Sequence, residues 1–236
     1  MTPTIIVFAL YLFGLASRWP AYAGFLVQVG YLVYRGLALG RIPLVGVHDT
    51  VSFLAASIMA FGIAVDQAHG RKRWVLQAVT GLAMAVTAVA LFQAPENKPL
   101  PPVLNTYWFE LHVALSFMSY ALFAIAAIMG VRYLKTGEAE DERMEYKTAF
   151  VGYALFSLSM IFGGVWAFLA WGTYWLWTPK ELWTSLLWVY YGLYLHLRYF
   201  TWWQGRPIAV MGVIGFGIVM FTYLGVSLLM KSSHAF

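Results

Sequence analysis

Apolar residues run along this chain in long blocks, broken by short polar segments, and the blocks have the length of membrane helices. A bilayer-spanning helix needs about 20 predominantly apolar residues. Eight blocks meet or approach that length: 3–17, 21–39, 50–66, 74–93, 107–134, 148–170, 181–200 and 207–230. The first is short enough to lie at an interface, and the fifth is long enough to begin outside the hydrocarbon. No soluble domain is left between them, and no short-period repeat or low-complexity segment is visible. The pattern predicts an all-α integral membrane protein: a bundle of about eight transmembrane helices forming a single domain over residues 1–236.

Composition sharpens this picture. The chain is 61% hydrophobic and 11% charged, whereas soluble domains run near about 25% charged. Mean hydropathy is +0.71. No water-soluble fold of this size hides so much apolar surface. There are no cysteines, which excludes disulfides, thiol exchange and a Cys-x-x-Cys-His haem attachment site within the chain. The net charge is +5, but the basic residues sit beside apolar spans, which points to membrane topology and lipid rather than nucleic acid. The opening MTPTIIVFALYLFGLAS has no Lys or Arg before Arg18, so it lacks the basic start of a signal peptide and reads as a retained first helix.

The 15 Lys and Arg residues divide by side. Arg18, Arg71, Lys72, Arg73, Arg132, Lys135, Arg143, Lys147, Arg198 and Arg206 share one set of loop ends. Arg35, Arg41, Lys98, Lys180 and Lys231 share the other. The larger set marks the cytoplasmic face. Both termini and the 93–106 loop then lie outside, and GEAEDERMEYK around 137–147 is expected to be a solvated inner linker.

The same assignment puts one unusual stretch outside. Residues 166–188 read WAFLAWGTYWLWTPKELWTSLLW and hold Trp166, Trp171, Trp175, Trp177, Trp183 and Trp188, from a total of 11 tryptophans. An interfacial belt accounts for one or two per helix end, because the indole is apolar and its N–H seeks water. Six within one stretch, with Gly172, Pro179, Lys180 and Glu181 among them, point towards a binding surface.

Five histidines are present: His48, His69, His112, His196 and His234. His69, in QAHGRKR, reads as solvated. His112 near the outer start of the fifth span and His234 in the terminal KSSHAF share the depth of the tryptophan stretch, and two neutral imidazoles at one depth suit the axial positions of a haem iron. His196 lies within the seventh span, where an ionisable group is costly and marks a functional position or a hydrogen bond to a neighbouring helix. His48 opens the third span as a further ligand, or else Asp49 and Thr50 there cap the helix. Arg198 is expected to snorkel to the inner headgroups.

These motifs resemble a known family. WGTYWLWTPKELWTSLLW is similar to the tryptophan-rich WWD signature, here about 166–188, of cytochrome c assembly membrane proteins, and its Pro-Lys-Glu resembles the CcsA (ResC) branch of the system II pathway. ELHVALSFMSYALF resembles the family's outer-histidine helix, YLHLR its membrane-histidine helix, and GVSLLMKSSHAF its terminal segment. The resemblance implies a haem-handling protein of the bacterial inner membrane, with the WWD segment and both termini on the periplasmic side. It implies that haem b, bound non-covalently as a substrate in transit, meets Trp171, Trp175, Trp177 and Trp183 and is ligated by His112 and His234. His196 would bind haem within the membrane. Beside these roles, Lys180 at the outer rim is expected either to pair with a propionate or to serve as an interfacial anchor. The partners implied are a CcsB (ResB)-like membrane subunit and apocytochrome c, within a haem-attachment (synthetase) complex. Glu181 is the nearest candidate for a general base.

Two positions depart from the family pattern. Thr178 stands where the family usually has the aspartate of WWD; it keeps a hydroxyl that can cap or donate but loses the charge. Gly46-Val47-His48-Asp49 stands where the family tends to have an Asn-Leu-Tyr-Glu-like start. Two alternative functions follow the same residues: a HemX-like regulator of tetrapyrrole synthesis, and a haem exporter without attachment activity.

Overall fold

The computed structural model describes residues 2–97 and 99–226. Among these residues all regular structure is helical, and the chain divides into two compact units, Met1–Pro101 and Pro102–Phe236. Five helical stretches are long and apolar enough to cross a membrane: Val47–Ala68, Arg73–Leu91, Tyr107–Thr136, Ala139–Trp171 and Arg206–Gly225. The other three of the eight expected spans are also helical. Thr2–Gly14 is short, Arg18–Leu39 carries Gln28 and Arg35, and Pro179–Leu197 owes much of its apolar surface to Trp and Tyr.

The first unit contains α1 (Thr2–Gly14), α2 (Arg18–Leu39), α3 (Val47–Ala68) and α4 (Arg73–Leu91). α1 packs on α2 and α4, and α3 on α4. Small residues let the backbones approach: a Cβ on Gly62 would stand 2.0 Å from Val79. α2 and α3 are tied at both ends by ion pairs, one of them wholly buried. At one end Arg35 Nη2 donates to Asp49 Oδ2 at 2.6 Å and Nε to Oδ1 at 3.2 Å. At the other, Arg18 Nη1 donates to Asp66 Oδ2 at 2.9 Å.

Two sequence expectations are revised by this packing. Asp49 does not cap α3. The helix starts at Val47 with no side-chain cap, and the Asp49 carboxylate serves Arg35 and the His48 ring (Nδ1 3.0 Å away) instead. His48 is buried, with Nε2 3.4 Å from Thr4 Oγ1. His69 is likewise buried rather than solvated, edge-on to Trp74 at 5.8 Å.

The second unit contains α5 (Tyr107–Thr136), α6 (Ala139–Trp171), α7 (Pro179–Leu197) and α8 (Arg206–Met220), which continues as a π-helical turn over Phe221–Gly225. α5 and α6 form a long antiparallel hairpin, and α8 packs on α5. Aromatic rings fill the core. Phe123 of α5 stacks on Tyr191 of α7 with centroids 3.7 Å apart and planes 13° from parallel, and Gly152 of α6 leaves the space that Phe123 occupies.

The expected 137–147 linker is helix from Ala139 onward. Gly137, in the left-handed region at φ +71°, ends α5 in one residue. Glu140, Asp141 and Glu142 then fill the first turn of α6, where negative charge opposes the helix dipole. The segment is not simply solvated either, since Asp141 and Glu145 are fully buried. Arg198 ion-pairs with Glu142 and lies over the Tyr146 ring at 4.6 Å.

Candidate functional site

The site begins where α5 begins. Thr106 caps the helix by accepting from the Phe109 N–H at 3.2 Å. The next turns place His112, Ser116 and Tyr120 on one face at i, i+4 spacing. α6 runs against that face with Ser159, Gly163 and Trp166. His112 Nδ1 lies 2.9 Å from the Ser159 carbonyl oxygen. A carbonyl only accepts, so Nδ1 carries the proton and Nε2 keeps the lone pair that a metal requires. Trp166 is almost wholly buried, donates from Nε1 to the Val103 carbonyl at 2.7 Å, and faces the imidazole at 6.2 Å with planes 16° from parallel.

The tryptophan-rich segment closes over this pair. α6 stops at Trp171 because Gly172 turns left-handed at φ +75° and returns its N–H to the Phe168 carbonyl. Tyr174 stacks on Phe168 at 4.6 Å. Trp177 is also left-handed, at φ +57°, a conformation rare for a bulky residue. α7 then begins with a capping box. Thr178 Oγ1 accepts from the Glu181 N–H at 3.4 Å, and Glu181 Oε2 accepts from the Thr178 and Leu176 N–H groups at 2.9 and 3.0 Å. Glu181 is therefore held as a helix cap, a poor state for a general base.

Between these elements lies a cavity lined among others by His112, Tyr120, Trp166, Tyr174, Trp175 and Lys180. Five of its lining residues are Phe, Trp or Tyr, and Lys180 and Glu181 line it from the start of α7.

Three of the expected site residues converge on the cavity: His112, Trp175 and Lys180. Trp171 meets Trp166 edge-on at 4.9 Å. Trp177 projects outward, 67% exposed. Trp183 turns away to meet Phe221 at 4.5 Å. His196 sits exposed at the far end of α7, its Nδ1 donating to the Gly192 carbonyl at 2.7 Å, which again leaves Nε2 as the basic nitrogen. His234 lies outside the described residues. Tyr120, Tyr174, Ser159 and Gly163 are not among the residues expected from the sequence, and Trp166 is expected there only as one of the six tryptophans of the binding stretch. The i, i+4 spacing of His112, Ser116 and Tyr120 was the available signal.

The capping box explains how Thr178 can occupy the position of the signature aspartate, since Asp and Thr are both good N-caps. Thr178→Ala is expected to cost about 1 kcal/mol of stability, while Thr178→Asp keeps the wild-type melting temperature. Thermal unfolding in detergent checks both.

Residues 44–234 match the family model described as Cytochrome C assembly protein. The chain is 28% identical to a protein from Synechococcus elongatus named Cytochrome c biogenesis protein CcsA, over 89% of this chain and 84% of that one. The proteins of the same name from Mesostigma viride (28% identity, 91% and 83%) and Chlamydomonas reinhardtii (28%, 89% and 65%) are similar to it in the same way.

Proposed function

This chain belongs to the cytochrome c assembly protein family and acts in cytochrome c biogenesis, and from that premise we propose that it binds haem at the outer face of a bacterial inner membrane and presents it for attachment to apocytochrome c. The observation that carries this reading is the 2.9 Å contact of His112 Nδ1 with the Ser159 carbonyl oxygen. Nδ1 is thereby committed, Nε2 is left basic, and the His112 ring lines an aromatic cavity that also holds Lys180.

Haem fits these groups by its chemistry. A flat apolar macrocycle matches Trp175, Trp166 and Tyr174, an iron matches an imidazole lone pair, and a propionate matches the half-buried Lys180 ammonium. Haem is substrate here and supplies the vinyl groups that the cytochrome's thiols attack. The chain supplies binding, orientation and exclusion of water. His112 would ligate the iron, with His234 as the second ligand. Trp171, Trp177 and Trp183 complete the aromatic surround. His196, with its own basic Nε2, receives haem lower in the membrane. A CcsB-like membrane subunit is the partner. The positive-inside count supports a periplasmic position for the tryptophan-rich end and both termini.

Absorption spectra of the protein purified in detergent, alone and with its CcsB-like partner, test this. A Soret band with sharp reduced α and β bands is expected. His112→Gly should lose most of the bound haem, and added imidazole should restore part of it. Absence of haem from both preparations, after expression with ample haem, overturns the reading in favour of a regulatory member of the family.

A further inference from the structure

We infer that Gly163 and Ser159 of α6 are positioning residues that build a seat for the His112 ring and so fix which nitrogen it offers to haem iron. The inference rests on the proposed ligand role of His112 and adds what holds that ligand in place.

Three features of the seat are independent of one another. The first is the hydrogen bond from Nδ1 to the Ser159 carbonyl at 2.9 Å. A carbonyl in the interior of α6 ordinarily accepts only from its own helix. Here it takes a second donor, from a residue 47 positions away. The second is an absence of side chain. A Cβ on Gly163 would lie 2.6 Å from His112 Nδ1 and 2.9 Å from Cε1, so any larger residue there drives the ring off its acceptor. The third is the Trp166 ring, which faces the imidazole and is anchored through its own N–H to Val103. The ring is therefore confined from the α6 backbone and from the Trp166 face.

The Ser159 side chain closes the arrangement. Ser116 Oγ donates to the His112 carbonyl at 2.8 Å, and Ser159 Oγ donates to Ser116 Oγ at 2.6 Å while lying 3.0 Å from that carbonyl oxygen and 3.2 Å from His112 Nδ1. The hydroxyl pair thus braces the α5 backbone at the residue whose ring is being aimed. Ser159 and Gly163 are i and i+4 on α6, so one face of one helix supplies acceptor, clearance and backbone clamp together. Ligating histidines are generally oriented by such an acceptor on the second nitrogen, and losing it typically costs about 10–100-fold in metal affinity.

The test is a double-mutant cycle read by spectrum and redox titration. Gly163→Ala should retain haem about tenfold less well, lose the sharpness of the reduced α band and shift the midpoint potential. In a His112→Gly background the extra methyl meets no side-chain ring, so His112→Gly and the His112→Gly, Gly163→Ala double variant should melt at the same temperature in detergent. A lower melting temperature of the double variant overturns the seat, because the methyl then acts on the fold and not on the ring. Gly163→Ala with wild-type retention, spectrum and potential overturns the seat while leaving the ligand role intact. Unchanged haem in His112→Gly itself would instead remove the ligand reading beneath it.

Discussion

Replacing Arg35 with methionine is expected to destabilise the first helical unit by about 3–5 kcal/mol, the usual cost of stripping one partner from a buried ion pair. Both members are buried, with side chains 7% and 2% exposed, so water cannot take over from the lost guanidinium. Asp49 would keep only the His48 ring against its charge. Arg35 also fastens the segment that follows α4, donating to Asn97 Oδ1 at 2.6 Å and to the Glu96 carbonyl at 3.0 Å. The variant should therefore lower the unfolding midpoint in detergent and, before unfolding, speed protease cleavage near residues 92–101. Removing both charges together, as Arg35→Met with Asp49→Leu, should recover much of the stability, because apolar replacement of a whole buried pair is often neutral, but should not protect the loop. Equal stability of the single variant and wild type would mean that the pair contributes nothing beyond its own desolvation.

That pair also marks the limit of what the sequence discloses. Long apolar runs predicted the helices well, because a membrane span depends on length and hydropathy, and both are local. α3, expected over 50–66, runs over Val47–Ala68, and α5, expected over 107–134, runs over Tyr107–Thr136. Charge was harder to place. Asp49, Asp141 and Glu145 look like surface residues in a linear reading, yet each is buried by packing between helices. The start of α6 was hidden for the same reason, since a run of acids and bases resembles a solvated linker until Gly137 and the helix dipole are considered. At the site, shared depth brought His112, Trp175 and Lys180 into one argument, and they do line one cavity. Depth says nothing about azimuth, however. Trp183 lies at the same level but turns to Phe221, whereas Lys180 and Thr184, four residues apart, face the cavity. Ser159 and Gly163 carry no signal of their own, because their role exists only against a ring on another helix.

Trp177→Gly is expected to weaken haem retention about tenfold, the equivalent of roughly 1.4 kcal/mol and of the order of one lost aromatic contact, without lowering the melting temperature. The left-handed conformation costs a non-glycine residue about 1–2 kcal/mol. Glycine adopts it freely, at an entropic cost of about 0.5–1 kcal/mol. The two nearly cancel, and the indole, being 67% exposed, has little packing to lose. An exposed ring on a strained backbone is a poor arrangement for folding alone. Such strain persists where the surroundings enforce it and gathers at binding sites. Here the enforcement is visible: Gly172 ends one helix, and the Thr178–Glu181 capping box starts the next. The residues between have little freedom, and one outcome of that constraint is an indole held outwards at the mouth of the segment. If stability falls together with haem retention, Trp177 is a packing residue. If retention is unchanged while stability holds, the ring is an interfacial anchor. Only loss of haem at constant stability fits a strained residue kept for its ligand.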